Sequence, residues 1–298
     1  MTSRLARCLF IFSVLWPAAA AGTDRLPDGL VTTGQRDIAA AWLTGPSRIY
    51  DHGVLGDAIE ATGLAVKMRD GRELSFQLAG ASVFEDRRAR LADLDGDGRD
   101  KIIVVRSYLD RGAALAVFRP VMDRSGGNRL ELIAETSPIG RAHRWLNPAG
   151  IADFDGDGQM EVALVVTPHI GGTLKIYQLR DGRLVEEWSS EGYSNHAMGS
   201  RNLDLALVIP GVIPGEISGA GGPMLVLPNP WRTGLRRVFF RDGAYRVVDL
   251  PLSLQHPITS LALGKAEAKL DAKSDAGGRL AINYLTEGGR AGVVWLEY

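Results

Sequence analysis

The feature that most constrains the fold is a repeated acidic loop followed by a short apolar run. It occurs at residues 92–105 (ADLDGDGRDKIIVV) and again at 151–166 (IADFDGDGQMEVALVV). The first aspartates of the two loops, Asp93 and Asp153, are 60 residues apart. A loop and strand that recur in this way indicate a repeat architecture, which has to be considered before any other fold.

A second marker recurs independently of the acidic loops. Tight-turn dipeptides separate strand-like runs at Asp70-Gly71, Gly126-Gly127, Asp181-Gly182 and Asp242-Gly243. The intervals between their glycines are 56, 55 and 61 residues, and such dipeptides between alternating runs are strong hairpin signals. Glycine supplies 36 of 298 residues, against roughly 7% in an average protein, which fits many tight turns.

The segment around the second acidic loop divides into one complete structural unit. It predicts strands at 150–153, 161–167, 173–179 and 183–189. The second of these carries VALVV, which is apolar on both faces, as expected for a strand buried between stacked sheets. Four antiparallel strands in about 50 residues are typical of one blade of a β-propeller.

Four further segments resemble this unit less completely. Residues 90–135 form a clear unit, and residues 199–250 form one that has lost its acidic loop. Residues 258–298 supply three strands, and residues 38–78 supply a last set around AAAWLTG, GLAVKM and ELSFQLA. The sequence therefore predicts an all-β fold, a single β-propeller of four-stranded antiparallel blades over residues 22–298. Five blades are expected, with six as the alternative.

Residues 1–21 have the layout of a secretory signal peptide. Arg4 and Arg7 precede the apolar run LFIFSVLW, and four alanines then provide small residues for cleavage. The run is far shorter than the roughly 20 residues that span a bilayer, so no stable membrane insertion is expected. Cys8 precedes the run, and a lipoprotein anchor is the alternative. A periplasmic or secreted protein is therefore predicted.

Charge and cysteine content narrow the possible partners. The formal net charge is −1, so the chain lacks the positive field of a nucleic-acid binder, and no nucleic-acid partner is expected. The one cysteine lies in the predicted signal peptide, which leaves the mature chain without a disulfide. We expect a monomer.

The second acidic loop has the oxygen donors of a calcium site. Carboxylates fall at positions 1, 3, 5 and 9, and the backbone carbonyl at position 7 can face inward: the residues are Asp153, Asp155, Asp157, Glu161 and Gln159. Hard oxygen ligands from one tight loop suit Ca²⁺. An EF-hand needs a bidentate Glu at position 12, where Leu164 stands in a β-run. A solvated acidic turn without metal is the other alternative.

The first acidic loop departs from this pattern at one ligand position. Its predicted donors are Asp93, Asp95, Asp97 and the carbonyl of Arg99. Position 9 is Lys101, whose ammonium would repel Ca²⁺ or partly replace it. Calcium binding at this loop is therefore expected to be weaker than at the second.

At these two loops the sequence resembles the FG-GAP/VCBS repeat family, whose propeller blades also occur in integrin α chains. The resemblance rests on the two DxDGDG loops, each placed after a small apolar strand and before a β-run. It implies that the loop joins the first two strands of a blade and binds Ca²⁺ through the aspartates and Glu161. Lys101 departs from the acidic residue usual in the family. The resemblance covers about two units and implies a fold rather than one activity.

A second group of candidate residues lies in the predicted connections between units. It comprises Tyr50, His52, His143, Arg144, Trp145, Asn147, His169, Asn195 and His196. Loops at equivalent places in successive blades converge on one face, so these residues could line a pocket for a small ligand or glycan. The alternative is that Trp145 packs between blades and the histidines satisfy backbone groups in loops.

No catalytic residue is predicted, and G-x-S-x-G and H-E-x-x-H motifs are absent. The sequence thus favours an exported calcium-binding propeller that acts as a non-catalytic binding or scaffolding module for a protein, glycan or small molecule. The alternative is a carbohydrate-active or other hydrolase that uses carboxylates in the axial pocket. Candidates for that role are Glu85, Asp86, Asp57 and Glu60, which nothing in the sequence pairs.

Overall fold

The computed structural model describes residues 24–122, 127–211, 222–268 and 278–297. The predicted signal peptide and Gly126 of the predicted Gly-Gly turn lie outside these ranges. Within them the chain forms twenty β-strands and no helix, and so has no helix long and apolar enough to cross a membrane. The prediction of an all-β fold is confirmed.

The strands fall into five consecutive groups with one extra strand after the first group. Group one is β1 Thr32–Thr33, β2 Ile38–Ser47, β3 Glu60–Met68 and β4 Glu73–Gln77, followed by the extra strand β5 Ser82–Phe84. Group two is β6 Arg90–Ala92, β7 Lys101–Tyr108, β8 Gly112–Val121 and β9 Arg129–Glu135. Group three is β10 Leu146–Ala152, β11 Glu161–Val166, β12 Thr173–Arg180 and β13 Arg183–Glu191. Group four is β14 Leu207–Ile209, β15 Met224–Pro228, β16 Leu235–Arg241 and β17 Ala244–Asp249, and group five is β18 Ile258–Ala268, β19 Gly278–Thr286 and β20 Ala291–Glu297.

The strands pair antiparallel, in chain order within each group. Groups three, four and five are separate sheets of four, four and three strands. Groups one and two differ from the expected separate blades, because β5 joins them into one nine-stranded sheet. It pairs with β3 at Ala61↔Phe84 and with β7 at Val83↔Ser107. Val83 and Phe84 are fully buried, and this burial holds the joining strand in place.

The third group reproduces the unit that the sequence predicted. Its second, third and fourth strands begin at the predicted residues 161, 173 and 183. Its first strand begins earlier than predicted, at Leu146, and continues through Pro148. A proline is tolerated there because the register shifts between Pro148 and Gly150, and bulges of this kind accommodate the missing N–H group.

Apolar cores fill the spaces between neighbouring groups. On β7, Ile102 and Val104 belong to the core shared with group one, whereas Ile103 and Val105 belong to the core shared with group three. The strands β11 and β15 alternate in the same way between the cores on their two sides. Side chains of a strand alternate between faces, so the apolar runs on both faces follow from packing groups face to face.

Because neighbouring strands run antiparallel, successive connections lie alternately at the two ends of the strands. The acidic loops, between β6 and β7 and between β10 and β11, lie at one end together with the β1–β2 connection. The β2–β3, β11–β12 and β15–β16 connections and the links between groups lie at the opposite end. The predicted metal residues and the predicted ligand residues are therefore at opposite ends of the sheets.

Candidate functional site

The two acidic loops have closely similar backbones. In both, the amide of the glycine at position 6 donates to the first aspartate, and the amide at position 7 donates to the third. The four hydrogen bonds are Gly98–Asp93 at 2.9 Å, Gly158–Asp153 at 3.1 Å, Arg99–Asp97 at 2.9 Å and Gln159–Asp157 at 2.8 Å. Gly98 and Gly158 have φ values of 80° and 92°, a region that favours glycine. The loop conformation is thus encoded twice.

In the second loop four carboxylates converge: one oxygen each of Asp153, Asp155, Asp157 and Glu161 lies within 4.8 Å of the others. Glu161 is fully buried, and its Oε2 accepts a hydrogen bond from the amide of Phe154 at 2.6 Å. Gln178, opposite Glu161 on β12, donates to Glu161 Oε1 at 3.1 Å and to Asp157 Oδ2 at 2.9 Å. The neighbouring strand therefore orients two of the four carboxylates.

Within the described residues the charge of this group is only weakly balanced: the hydrogen bond from Gln178, and after it the charge of Arg180, lower the pKa of Asp157. Among the residues that the structure describes, no lysine or arginine forms an ion pair with the four carboxylates. Burial above all, with Asp155 and Glu187 adding to it, raises the pKa of Glu161 to about 7. Converging oxygen donors that form no ion pair with a described lysine or arginine could hold a metal ion.

The first loop has a lysine ammonium among its carboxylates. Lys101 is 2% exposed, and its Nζ donates to Asp95 at 2.5 Å, to Asp97 at 2.8 Å and to the carbonyl of Arg99 at 3.4 Å. These are the groups expected to bind metal at positions 3, 5 and 7. One oxygen each of Asp93, Asp95 and Asp97 lies within 4.8 Å of the others, so a metal ion here would compete with the ammonium.

Arginine supplies a second cation to the first loop. Arg36, in the β1–β2 connection, lies 3.8 Å from Asp93 and 3.6 Å from Asp100. Burial lowers the pKa of Lys101, but the hydrogen bonds to Asp95 and Asp97 outweigh it, so the net shift is upward. The ammonium therefore stays charged, and two cations of the chain balance part of the charge of this loop.

At the opposite end, the predicted ligand residues lie in one contact network. The rings of Tyr50, His52 and His143 have centroids 5.1 to 5.8 Å apart. His143 Nε2 lies 3.2 Å from Asp51 Oδ1, and the His143 amide donates to the Tyr50 hydroxyl at 3.1 Å. The β2–β3 connection and the link before β10 are thereby brought together.

A buried glutamate connects this part of the network to the rest. Glu85 is fully buried and lies 2.6 Å from His52 Nδ1, and it also accepts a hydrogen bond from the Ser107 hydroxyl. Trp145 Nε1 donates to the Glu85 carbonyl at 2.9 Å. Burial raises the pKa of Glu85, while the bonds to His52 and Ser107 oppose that shift.

Histidines of two later connections complete the network around Trp145. The indole is stacked on His169, at 6.1 Å between centroids, and meets His196 edge-on at 4.8 Å. Asn147 and Asn195 each donate from the side-chain amide to the other's backbone carbonyl, at 3.2 and 3.0 Å. Residues from five chain connections thus meet at one end of the sheets.

Burial divides the nine predicted ligand residues into two sets. The first set is buried and supports the network from the interior: Tyr50, Trp145, Asn147, Asn195 and His196. His143 is exposed, and His52, Arg144 and His169 are partly exposed. Arg144 donates to the carbonyl of His143 at 3.1 Å. Ligand contact at this end is therefore available to the second set.

The structure adds Arg232, which the sequence did not single out. Its Nη1 donates to the carbonyl of His196 at 3.4 Å, across two groups of strands. Arg232, His143 and Thr167 have φ values of 55°, 54° and 50°. Side chains adopt this region rarely, above all β-branched ones, and such strain concentrates at functional sites. No sequence pattern marks Arg232, because its partner is remote in the chain.

An open groove of about 600 Å³ lies outside this network. It is lined by the link after β9 and by residues of β11, β12 and β13, among them Glu135, Lys175 and Tyr177. None of the predicted metal-binding or ligand-binding residues lines it. The groove and the network are therefore separate features.

No family model matches the sequence, and no curated protein matches it. Among solved structures, the exotype rhamnogalacturonan lyase YesX is 15% identical with a TM-score of 0.43, over 93% of this chain and 57% of that one. The rhamnogalacturonan lyase YesW is 14% identical with a TM-score of 0.41, over 92% of this chain and 60% of that one. The chain thus spans less than two thirds of either structure. Likenesses at this level establish neither the fold nor an activity.

Proposed function

We propose that the protein is an exported, calcium-stabilised β-propeller that binds a ligand or partner at the end opposite its acidic loops. The observation that carries the proposal is the convergence of five aromatic residues from four connections, namely His52, His143, Trp145, His169 and His196. Polar and aromatic groups that converge from several elements are typical of ligand sites.

Calcium is the proposed ion for the second loop. All four side-chain donors are carboxylates, and the carbonyl of Gln159 supplies a fifth oxygen in the proposed site. Ca²⁺ accepts six to eight oxygen ligands in flexible geometry, whereas nitrogen or sulfur donors would favour zinc. The same pattern supports the proposed relation to FG-GAP/VCBS repeats.

A closed five-bladed ring is the proposed arrangement of the five groups. Support comes from contacts between connections at the ligand end that are far apart in the chain. The Arg88 guanidinium forms an ion pair with Asp204, and Asn202 donates to the carbonyl of Thr259 at 2.8 Å. Small-angle scattering tests the ring, since an open row of five groups would give a longer maximum dimension.

Export is tested by the N-terminus of the protein recovered from its producing cells. Sequencing should find a start near Gly22 in the periplasm or medium, and a start at Met1 in the cytoplasm would contradict the proposal. An ultracentrifuge run on the same sample tests the proposed monomer.

Ligand binding is tested by screening the purified protein against metabolite and glycan panels with Ca²⁺ and with EDTA. Any ligand found should lose affinity in His143→Ala, which alters the network, and keep it in His256→Ala, which lies outside it. Equal binding by the two variants would show that the network is not the ligand-binding site.

One observation supports a hydrolase as the second candidate. Glu60 and Glu85 face each other one residue beyond the Ala61↔Phe84 pair, and both oxygens of Glu60 lack a hydrogen-bond partner in the described structure. Burial first, then the charge of Glu85, raises the pKa of Glu60 to about 10. Carboxyls with different environments are typical of acid–base pairs.

Burial nevertheless favours the binding module. Glu60 and Glu85 are 1% and 0% exposed, and a proton donor has to reach the substrate within hydrogen-bond distance. Assays of nitrophenyl glycosides decide between the two candidates. Turnover that disappears in Glu60→Gln would establish the hydrolase, and its absence from the wild-type protein would leave binding as the function.

A further inference from the structure

His169 and His196 form a directly hydrogen-bonded pair in the network. His169 Nε2 lies 2.9 Å from His196 Nδ1, and His196 Nε2 lies 2.8 Å from the carbonyl oxygen of Ser200. Trp145 packs against both rings. The pair joins the β11–β12 connection to the link that precedes β14.

The carbonyl of Ser200 determines which ring nitrogens of His196 and His169 carry a hydrogen. A carbonyl only accepts, so His196 Nε2 carries a hydrogen. Burial lowers the pKa of His169 to about 3 and that of His196 to about 4, so each ring is neutral at pH 7 and has one N–H group. His196 Nδ1 is then an acceptor, and His169 Nε2 donates to it.

The same reasoning leaves the other nitrogen of His169 unprotonated. Its Nδ1 has a lone pair, and no described group donates a hydrogen bond to it. His169 is partly exposed, so part of the residue can contact a molecule bound at the surface. His196, which is fully buried, acts only through His169.

Exposed apolar side chains lie next to residues of the network in the sequence. Among the described large hydrophobic residues the three most exposed are Trp231 at 77%, Ile170 at 62% and Met198 at 60%. Each lies within two residues of His169, His196 or Arg232. Apolar side chains exposed around a polar group are typical of binding surfaces.

We propose that His169 Nδ1 is the hydrogen-bond acceptor of the binding site and accepts a hydrogen bond from a hydroxyl group of a pyranose sugar. The apolar face of the sugar packs on the exposed side chains. This inference rests on the proposed function, because it specifies an acceptor and a ligand class for the same network. His196 is a positioning residue that selects the tautomer of His169.

The proton arrangement is tested without any ligand. The chain has five histidines, so ¹⁵N-histidine labelling gives a spectrum that single substitutions assign. At pH 7 we expect both His169 and His196 as Nε2–H tautomers, with no protonation down to pH 5. A His169 that carries its hydrogen on Nδ1, or that becomes charged above pH 5, would overturn the inference whatever the protein binds.

Two substitutions separate the acceptor from the hydrogen bond to His196. His169→Gln places an amide near Nε2 and keeps a donor for His196, but loses the acceptor at Nδ1. His169→Asn places its amide near Nδ1 and can offer an oxygen there, but loses the bond to His196. Affinity for methyl glucopyranoside, methyl galactopyranoside, maltose and cellobiose is measured by tryptophan fluorescence.

We expect the Gln variant to lose about tenfold in affinity for the sugars that bind, equivalent to about 1.4 kcal/mol, and the Asn variant to lose less. The reverse order would show that His169 has only a structural role. If none of the sugars binds the wild-type protein, the ligand class is wrong. A different ligand found in the broader screen would then still support the proposed function.

Discussion

The two acidic loops share one backbone conformation but differ in the charge of the residue at position 9. In the first, the ammonium of Lys101 lies among Asp95, Asp97 and the carbonyl of Arg99. In the second, the same position of the loop is Glu161, which adds a carboxylate instead of removing charge. The comparison shows that this loop can hold an ammonium of its own chain, and that without one its carboxylates converge and could hold a metal ion.

Among changes made at neutral pH, the largest expected effect is that of calcium on the second loop. Calcium at 100 times its dissociation constant should stabilise the folded protein by about 2.7 kcal/mol, because it binds the folded state alone. Thermal or urea unfolding with Ca²⁺ and with EDTA measures this difference. Asp155→Asn should abolish it, whereas the matched change Asp95→Asn in the first loop should leave it. Equal loss in both variants would contradict the assignment.

Removal of the ammonium from the first loop should have the next largest effect. Lys101→Met leaves two aspartates without their cation, and breaking a buried pair costs about 3–5 kcal/mol. Asp95 and Asp97 are 38% and 48% exposed, so we expect about 2 kcal/mol. Urea unfolding in EDTA measures the loss, and an unchanged midpoint would show that the lysine is not needed.

An exchange of the residues at position 9 should exchange the behaviour of the loops. Lys101→Glu gives the first loop the second loop's carboxylates, so calorimetry should find two calcium ions bound where the wild-type protein binds one. Glu161→Lys should supply an ammonium and make the second loop independent of calcium. If the stoichiometry stays at one in Lys101→Glu, the residue at position 9 does not decide between the two forms.

The sequence predicted this comparison in part. The DxDGDG spacing indicated both loops, and Lys101 was predicted to repel or partly replace the ion. The sequence could not place Arg36 beside Asp93 or Gln178 beside Glu161, because these contacts depend on how strands pair. It also missed the joining of the first two groups by β5, a three-residue strand without a period of its own.

At the end of the sheets that carries the predicted ligand residues, the sequence was again unable to predict contacts between distant segments. Histidines in the connections were expected to converge, and the structure brings them together. That Trp145 and His196 are buried while Ile170 and Trp231 are exposed follows from packing between distant segments. No local pattern distinguishes an exposed loop histidine from a buried one.

Acid destabilisation should come from the histidines of the ligand end. Glu161 of the second loop works in the opposite direction, because burial raises its pKa to about 7 and the folded chain therefore holds the extra proton. Burial holds the pKa of His169 near 3 and that of His196 near 4, against about 6.5 in an unfolded chain. The unfolded chain therefore binds more protons below pH 6.5, and stability falls as the pH drops towards 4, by up to about 1.4 kcal/mol per pH unit for each histidine.

Unfolding measured between pH 7 and pH 4.5 in EDTA tests this expectation. His169→Gln and His196→Gln should each flatten the dependence. The first loop should respond only at lower pH. Burial raises the pKa of Asp97, but the bonds from Lys101 and the Arg99 amide outweigh burial, so the net shift is downward. A steep dependence that Lys101→Met removes, and the histidine variants do not, would reverse the order.

The smallest expected effect is that of Arg36, the second cation of the first loop. Its guanidinium is 46% exposed and lies 3.6 to 3.8 Å from Asp100 and Asp93, and exposed ion pairs contribute about 0.2–1 kcal/mol. Arg36→Ala should therefore cost no more than about 0.5 kcal/mol in urea unfolding, and less in high salt, which screens exposed charges. Arg69→Ala, which removes a neighbouring arginine that contacts backbone carbonyls rather than carboxylates, is the control for loss of a surface cation. A loss from Arg36→Ala as large as that from Lys101→Met would mean that the loop is neutralised from outside rather than by the buried ammonium.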